Sequence, residues 1–401
     1  MNTFSNKKIK IIGISVLVVL SGFFIIYYSS YEQLNIENLT EPKNLEEPKN
    51  QNEIVSAEQI FENCQYDMHC SVELLSNISH EQEKPIVMNT FEELLSIYHK
   101  KQANFRCHTI AHHLGEWVYG YTKNMEESFG YADPLTCGAG LYHGIFENYF
   151  SILKFEGVYP DQVEIKSLCT KVDSNFYSLD MAHCHHGIGH GLLLLYDYDV
   201  VSAVNRCNDF DFKQEQASCS NGVFMQNVLK NFETGEGDFD KNNMQYPCDQ
   251  ISSNFTSTCY IWQGPYILKQ RNFEVYSSFA ECDKINQEFI KYCYYGIGAE
   301  LETDAAGKME LALQFCQAGN PTYHKDCFRG MVMKTSMIYL DSGFGFCALV
   351  PEQFKEECYN GLGYWIKLRH LTEEEKMVDC LKAEKPYFET CMKATSDVSY
   401  L

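Results

Sequence analysis

The sequence has none of the short signatures that mark the common catalytic sites. H-E-x-x-H, G-x-S-x-G and G-x-x-x-x-G-K-[ST] are all absent, which removes the zincin helix, the nucleophile elbow and the P-loop. C-x-x-C-H is missing too, so c-type haem attachment is excluded. GIGHG at 187–191 and GFG at 343–345 have no strand–turn–helix setting and do not make a nucleotide loop. Positive charge is scarce: 32 Lys and Arg stand against 54 Asp and Glu, a net charge of −22. So acidic a chain is not built to neutralise phosphates, which excludes nucleic acid as a partner and disfavours an electrostatic hold on anionic lipid.

Cysteine, by contrast, is abundant. Eighteen occur in 401 residues, an even count, in a chain whose 45% hydrophobic and 21% charged content is that of a folded protein. Cytosolic thiols stay reduced, so such a number points to an oxidising, extracytoplasmic compartment. The N-terminus agrees. Ile11 to Tyr28 is an unbroken apolar run behind Lys7, Lys8 and Lys10, and no charge follows until Glu32. That stretch is long enough to span a bilayer, with the lysines holding residues 1–10 in the cytoplasm. The run ends in Phe-Phe-Ile-Ile-Tyr-Tyr rather than a small-x-small site, which favours a retained signal anchor at 11–28 over a cleaved signal peptide. Residues 29–53 turn to Glu, Asn, Lys and Pro, with Glu-Pro-Lys-Asn occurring twice; a stretch that buries so little is a flexible linker.

The spacing of the cysteines is a repeat. Cys207–Cys219 encloses eleven residues, whereas Cys248–Cys259, Cys282–Cys293, Cys316–Cys327, Cys347–Cys358 and Cys380–Cys391 each enclose ten. Successive units begin 41, 34, 34, 31 and 33 residues apart, the period of stacked two-helix repeats. The second Cys is followed three residues later by Gly at 222, 296, 330 and 361, and also in the earlier CGAG at 137 and CHHG at 184. Positions three apart share a helix face, and a glycine beside a cross-linked cysteine lets two helix backbones approach closely. Each unit therefore reads as one helix ending near its first Cys, a short connection, and a second helix opening at its second Cys. By the same logic Cys169–Cys184 is a stretched unit and Cys64–Cys70 a compact one, leaving Cys107 and Cys137 for each other. Zinc is the rival use of the sulfurs, but no C-x2-C or C-x4-C pair occurs, so disulfides are the better reading.

The plan over about residues 200–400 resembles tetratricopeptide-like and Sel-type cysteine-rich helical repeat proteins in period and hairpin cross-link. The resemblance implies a curved scaffold and no particular activity. The fold class expected is all-α: an array of disulfide-linked helical hairpins, solenoid-like, behind an N-terminal transmembrane helix. A His-rich helical domain spans 54–200 and the cysteine-ladder repeats span 201–401.

Nine of the 13 histidines fall between His99 and His190. Most lie in three Cys-initiated motifs: CHTIAHHLGEW at 107, CGAGLYHGIFEN at 137 and CHHGIGHG at 184. His108 and His112, His143 and Glu147, and His186 and His190 are each spaced i, i+4, which on a helix aims both side chains at one point. Counted from the motif cysteine, however, His113, His143 and His190 share position +6. His112 completes a pair and His113 matches the repeat, so the two remain alternatives. Later units carry Met225, Ala299, Met333 and Tyr364 at +6, so the scaffold itself does not require histidine there. His108, His112, His143, Glu147, His186 and His190 are the candidate metal ligands, with Glu147 alternatively a catalytic general base to metal-bound water. An imidazole-rich set calls for a transition metal such as zinc, copper or iron. The functions that follow are a metal-dependent hydrolase or oxidoreductase, a metal capture or delivery protein, or a scaffold whose acidic repeat surface receives a protein or cationic ligand.

Overall fold

Segments with helix-forming composition, cut by Gly, Pro and Asn clusters, fold as nineteen α-helices among the described residues. The computed structural model describes residues 56–396, apart from 66, 101–105, 132–135, 171–178, 253, 306–308, 339 and 371. The anchor expected at 11–28 and the linker expected at 29–53 lie outside the described residues, among which no helix is long and apolar enough to cross a membrane. The first helices are α1 (Ala57–Cys64), α2 (Met68–Glu81) and α3 (Lys84–Lys100). The His-rich segment forms α4 (Arg106–Thr122), α5 (Met125–Phe129), α6 (Gly140–Glu156), α7 (Gln162–Ser167) and α8 (Leu179–Leu195). The ladder continues as α9 (Val200–Asn205), α10 (Lys213–Thr234), α11 (Thr256–Gln270), α12 (Val275–Cys282), α13 (Ile290–Ala305), α14 (Met309–Cys316) and α15 (His324–Ile338). It closes with α16 (Leu340–Leu349), α17 (Glu352–Arg369), α18 (Glu373–Cys380) and α19 (Phe388–Ser396). The described residues form no sheet; an isolated bridge joins Asp240 and Asn243.

Short and long helices alternate through the ladder. Helices α12, α14 and α18 end on Cys282, Cys316 and Cys380, and each bonds a cysteine in the first turn of the next long helix. Eight residues are too few for a helix to persist alone in water, so the cross-link and the caps matter. Glu274 accepts from Ser277 N, and Thr372 and Glu375 form a capping box, at the starts of α12 and α18. All 18 cysteines are paired in nine disulfides, in the order that spacing implied. Closing loops this short is worth about 3 kcal/mol each in the chain-entropy account.

The long helices pack consecutively: α4 on α6, α6 on α8, α8 on α10, α10 on α11, then α11, α13, α15, α17 and α19 in turn. Glycine sets how closely. A β-carbon on Gly222, Gly296 or Gly330 would stand 1.9, 1.8 or 1.9 Å from the carbonyl oxygen of His186, Ile261 or Tyr295 on the preceding long helix. Two residues beyond that position a second glycine faces the other way. Gly189, Gly298 and Gly363 lie against the carbonyls of Cys219, Cys327 and Cys391 on the following helix.

Two expectations are corrected. The unit of Cys248 has no first helix: Gly235 to Pro247 runs as a loop into the 3-10 turn Cys248–Gln250. Gly235 and Gly237 take positive φ there (75° and 135°), and the Asp/Asn-rich stretch between them and Pro247 favours turns over helix. Cys137 does not open a helix either. Cys137, Gly138 and Ala139 are all left-handed (φ 51°, 62° and 65°), and α6 begins only at Gly140.

Candidate metal centre

Three consecutive long helices, α4, α6 and α8, carry the three histidine motifs. Because α6 packs between α4 and α8, side chains from the outer two reach the same space as those of the middle one. The register between α4 and α6 decides which side chains do so. In later units the glycine three after the cysteine meets the carbonyl two residues after the preceding cysteine. Gly140 instead meets the carbonyl of His108, one residue after Cys107, and Gly144 meets that of His112. Helix α4 is thus displaced by one residue relative to its cysteine, and His112 takes the inward place that +6 holds elsewhere. His112 is buried, whereas His113 lies in a separate groove with its Nδ1 3.3 Å from Glu116 and its ring near His69.

All six candidate residues come together. The Nε2 atoms of His108 and His112 are 3.1 Å apart, and His143 Nδ1 is 3.1 Å from His112 Nε2. On the α8 side, His186 Nε2 and His190 Nε2 are 3.1 Å apart. Glu147 Oε1 lies between the two sides, 3.0 Å from His112 Nδ1 and 3.1 Å from His190 Nδ1. His143, Glu147 and His190 are 1%, 5% and 0% exposed, while His108 and His186 are only partly buried and form the solvent side of the cluster. Potential ligand atoms converge in three overlapping sets: His108–His112–His143, His143–His186–His190 and His112–Glu147–His190.

The outer hydrogen bonds fix which nitrogens carry protons. His108 Nδ1 is 2.8 Å from the Cys137 carbonyl, and His112 and His190 turn Nδ1 to the Glu147 carboxylate. Such oxygens only accept, so each Nδ1 must donate its hydrogen. In the neutral rings that leaves Nε2 of His108, His112 and His190 as bare lone pairs, aimed at one another or at a neighbouring imidazole. His143 Nε2 is buried without a hydrogen-bond partner. A buried polar atom left unpaired costs about 1–3 kcal/mol.

The electrostatics favour neutral rings at His108, His143, His186 and His190. Burial, reinforced by neighbouring imidazoles, pushes His108, His143 and His186 well below the ordinary histidine value. Burial also lowers His190, against the opposing pull of Glu147. For Glu147 burial opposes ionisation, but His112 and His190 outweigh it and hold the carboxyl well below the usual range. Neutral imidazole is the metal-binding form.

Sequence reasoning missed one partner. Gln226, on α10, lies with Oε1 2.8 Å from His190 Nδ1; nothing in its spacing sets it apart. His185 turns away, with Nδ1 on the Met181 carbonyl and its ring edge-on to Phe210. Burial pushes His183 down to about 4, and its ring centroid is 6.5 Å from that of His143. The side chain of His99 lies outside the described residues. No protein-family model, curated protein or solved structure matches the chain.

Proposed function

We propose that the chain is a transition-metal protein of an oxidising extracytoplasmic compartment, tethered to the membrane by residues 11–28. Metal is held among His108, His112, His143, His186 and His190, whose ring nitrogens converge in sets of three. One observation carries the reading: Nε2 of His108 and His112 and Nδ1 of His143 meet at 3.1 Å contacts, with the outer nitrogens of His108 and His112 already committed to the Cys137 carbonyl and to Glu147. A proton on one nitrogen satisfies one such contact, whereas a cation among the three nitrogens satisfies both. Tetrahedral ligands at about 2.0–2.1 Å from zinc stand roughly 3.3 Å from each other, close to the spacing here. Imidazole donors suit zinc, copper or iron better than magnesium or calcium.

Glu147 fits this reading as a positioning residue. A carboxylate that accepts from two ligating histidines fixes their tautomers and orients their rings. The sequence-based alternatives, Glu147 as a ligand or as a general base, are set against this positioning role by the oxygen it already shares between His112 and His190. Three ring nitrogens leave a coordination position open for water or substrate, which favours a metal-dependent hydrolase or oxidoreductase over a closed structural site. The partly buried His108 and His186 offer a path for an ion to enter and leave, which favours capture and delivery as the second reading.

The test is elemental analysis of the full-length protein purified without added chelator, beside a variant carrying His143→Gln and His190→Gln. Zinc, copper or iron should accompany the wild type and be lost from the variant. A wild type that stays metal-free after incubation with all three ions overturns the proposal and leaves the acidic repeat surface as a binding scaffold.

A further inference from the structure

Five imidazoles exceed the four positions of one tetrahedral ion, and His143 stands in the middle of them. Helix α6 places His143 between an i, i+4 pair on α4 and an i, i+4 pair on α8. On the first side the geometry is that of a formed three-nitrogen site. The rings of His108, His112 and His143 stand 4.7–5.1 Å apart by centroid and cross at 69–73°, and Nδ1 of His143 is the atom it presents. On the second side His186 and His190 hold their Nε2 atoms 3.1 Å apart, with ring centroids 4.7 and 4.4 Å from that of His143. The remaining nitrogen of His143, Nε2, is buried and has no hydrogen-bond partner. The two nitrogens of one imidazole diverge in the ring plane, so they cannot bind the same ion.

Resting on the metal reading above, we infer that the cluster is a two-ion centre in which His143 is shared, giving Nδ1 to an ion held by His108 and His112 and Nε2 to an ion held by His186 and His190. When both are bound, the one N–H proton of the neutral His143 ring leaves to solvent and the ring bridges as imidazolate. Glu147 serves both halves at once, since the same oxygen accepts from His112 and from His190.

The halves are not equally prepared. His190 lies nearly parallel to His143, at 16°, so the second set closes only when the His143 or His190 ring turns. The first ion therefore binds a formed site and the second must reorganise its own, giving two affinity classes. The first is tight and belongs to α4 and α6; the second is weaker and belongs to α6 and α8.

The experiment is titration of metal-stripped full-length protein with Zn(II), counting bound equivalents by equilibrium dialysis, for the wild type and for His108→Ala and His186→Ala. Both substituted rings are partly exposed, and circular dichroism of each variant serves as the control that its helix content is kept. The wild type should bind two equivalents in two classes, His186→Ala should lose the weaker one, and His108→Ala the tighter one. Loading with Cu(II) adds a second readout: paramagnetic resonance intensity per copper should fall as the second equivalent binds, because the two spins couple through His143. One equivalent at saturation overturns the two-ion centre while leaving the metal reading standing. Two equivalents with full, additive copper intensity also overturn it, since the second ion then lies elsewhere. No binding above that of the His143→Gln, His190→Gln variant overturns both.

Discussion

Substituting alanine at equivalent glycines of different units tests the packing that holds the site. Gly296 and Gly361 both stand three residues after the second cysteine of a unit, so the sequence gives no reason to treat them differently. In the structure a β-carbon on Gly296 meets backbone: Ile261 O at 1.8 Å and Ile261 C at 2.7 Å. On Gly361 it meets a side chain, Val332 Cγ1, at 3.0 Å. The difference arises because Val332 occupies the second-glycine position of its helix, which already holds α15 and α17 further apart. A methyl group that clashes with a helix carbonyl cannot be accommodated by a rotamer change, so α11 and α13 must separate. Overpacking costs about 1–3 kcal/mol and sometimes more; Gly296→Ala belongs at or above the top of that range, about 3 kcal/mol. Gly361→Ala is offset by alanine's better helix propensity, worth about 1 kcal/mol, and should be near neutral. At roughly 2 °C per kcal/mol for a unit of this size, Gly296→Ala lowers the non-reducing thermal midpoint by about 6 °C. Equal midpoints for the two variants would refute the claim that backbone contact at alternate glycines sets the helix spacing.

Three further outcomes follow from the same structure. Replacing Cys282 and Cys293 together by Ala should destabilise by about 3 kcal/mol, read from denaturant midpoints, with the remaining pairings unchanged in a non-reducing peptide map; reshuffled bridges would contradict pairing within units. Glu147→Gln should weaken metal binding by about 10–100-fold without lowering the number of ions bound at saturation, and a lost equivalent would make Glu147 a ligand instead. Asp326 is raised to about 6 by burial, with Glu357 adding to it against Lys325 and Arg329. Folding disfavours its ionised form, so stability is full below the unfolded value and falls as pH rises through about 6. Asp326→Asn should therefore raise the midpoint at pH 8 and leave it unchanged at pH 4, and the reverse pattern would refute the assignment.

Much of this was legible in the residues because disulfides and helix periodicity are both local. Ten or eleven residues between cysteines specify the cross-link of a tight connection, and i, i+4 spacing specifies one helix face. What required the structure was register between helices. The choice between His112 and His113 turns on the one-residue displacement of α4 relative to Cys107, which follows from how Gly140 and Gly144 seat on it. The second glycine is present in the sequence, two residues after the first at 189, 298 and 363 and two after Trp262 at 264. It marks the opposite face of each contact. The missing helix before Cys248 was also visible, in GEGDFDKNNMQYP, but the regular cysteine count hid it. Gln226 carried no signal, because its role depends on where α10 crosses α8. Glu147 was recognised as part of the cluster, but its role depends on which nitrogens face it, and spacing does not encode that.

The central claim is that a metal ion sits among imidazole nitrogens on α4, α6 and α8. X-ray absorption spectroscopy of the zinc-loaded full-length protein tests it most directly. The account predicts a first shell of nitrogen and oxygen at about 2.0–2.1 Å, with the outer-shell scattering of imidazole rings and no sulfur. That imidazole scattering should be lost in the His143→Gln, His190→Gln variant. A shell containing sulfur, or one with no imidazole scattering, would contradict it.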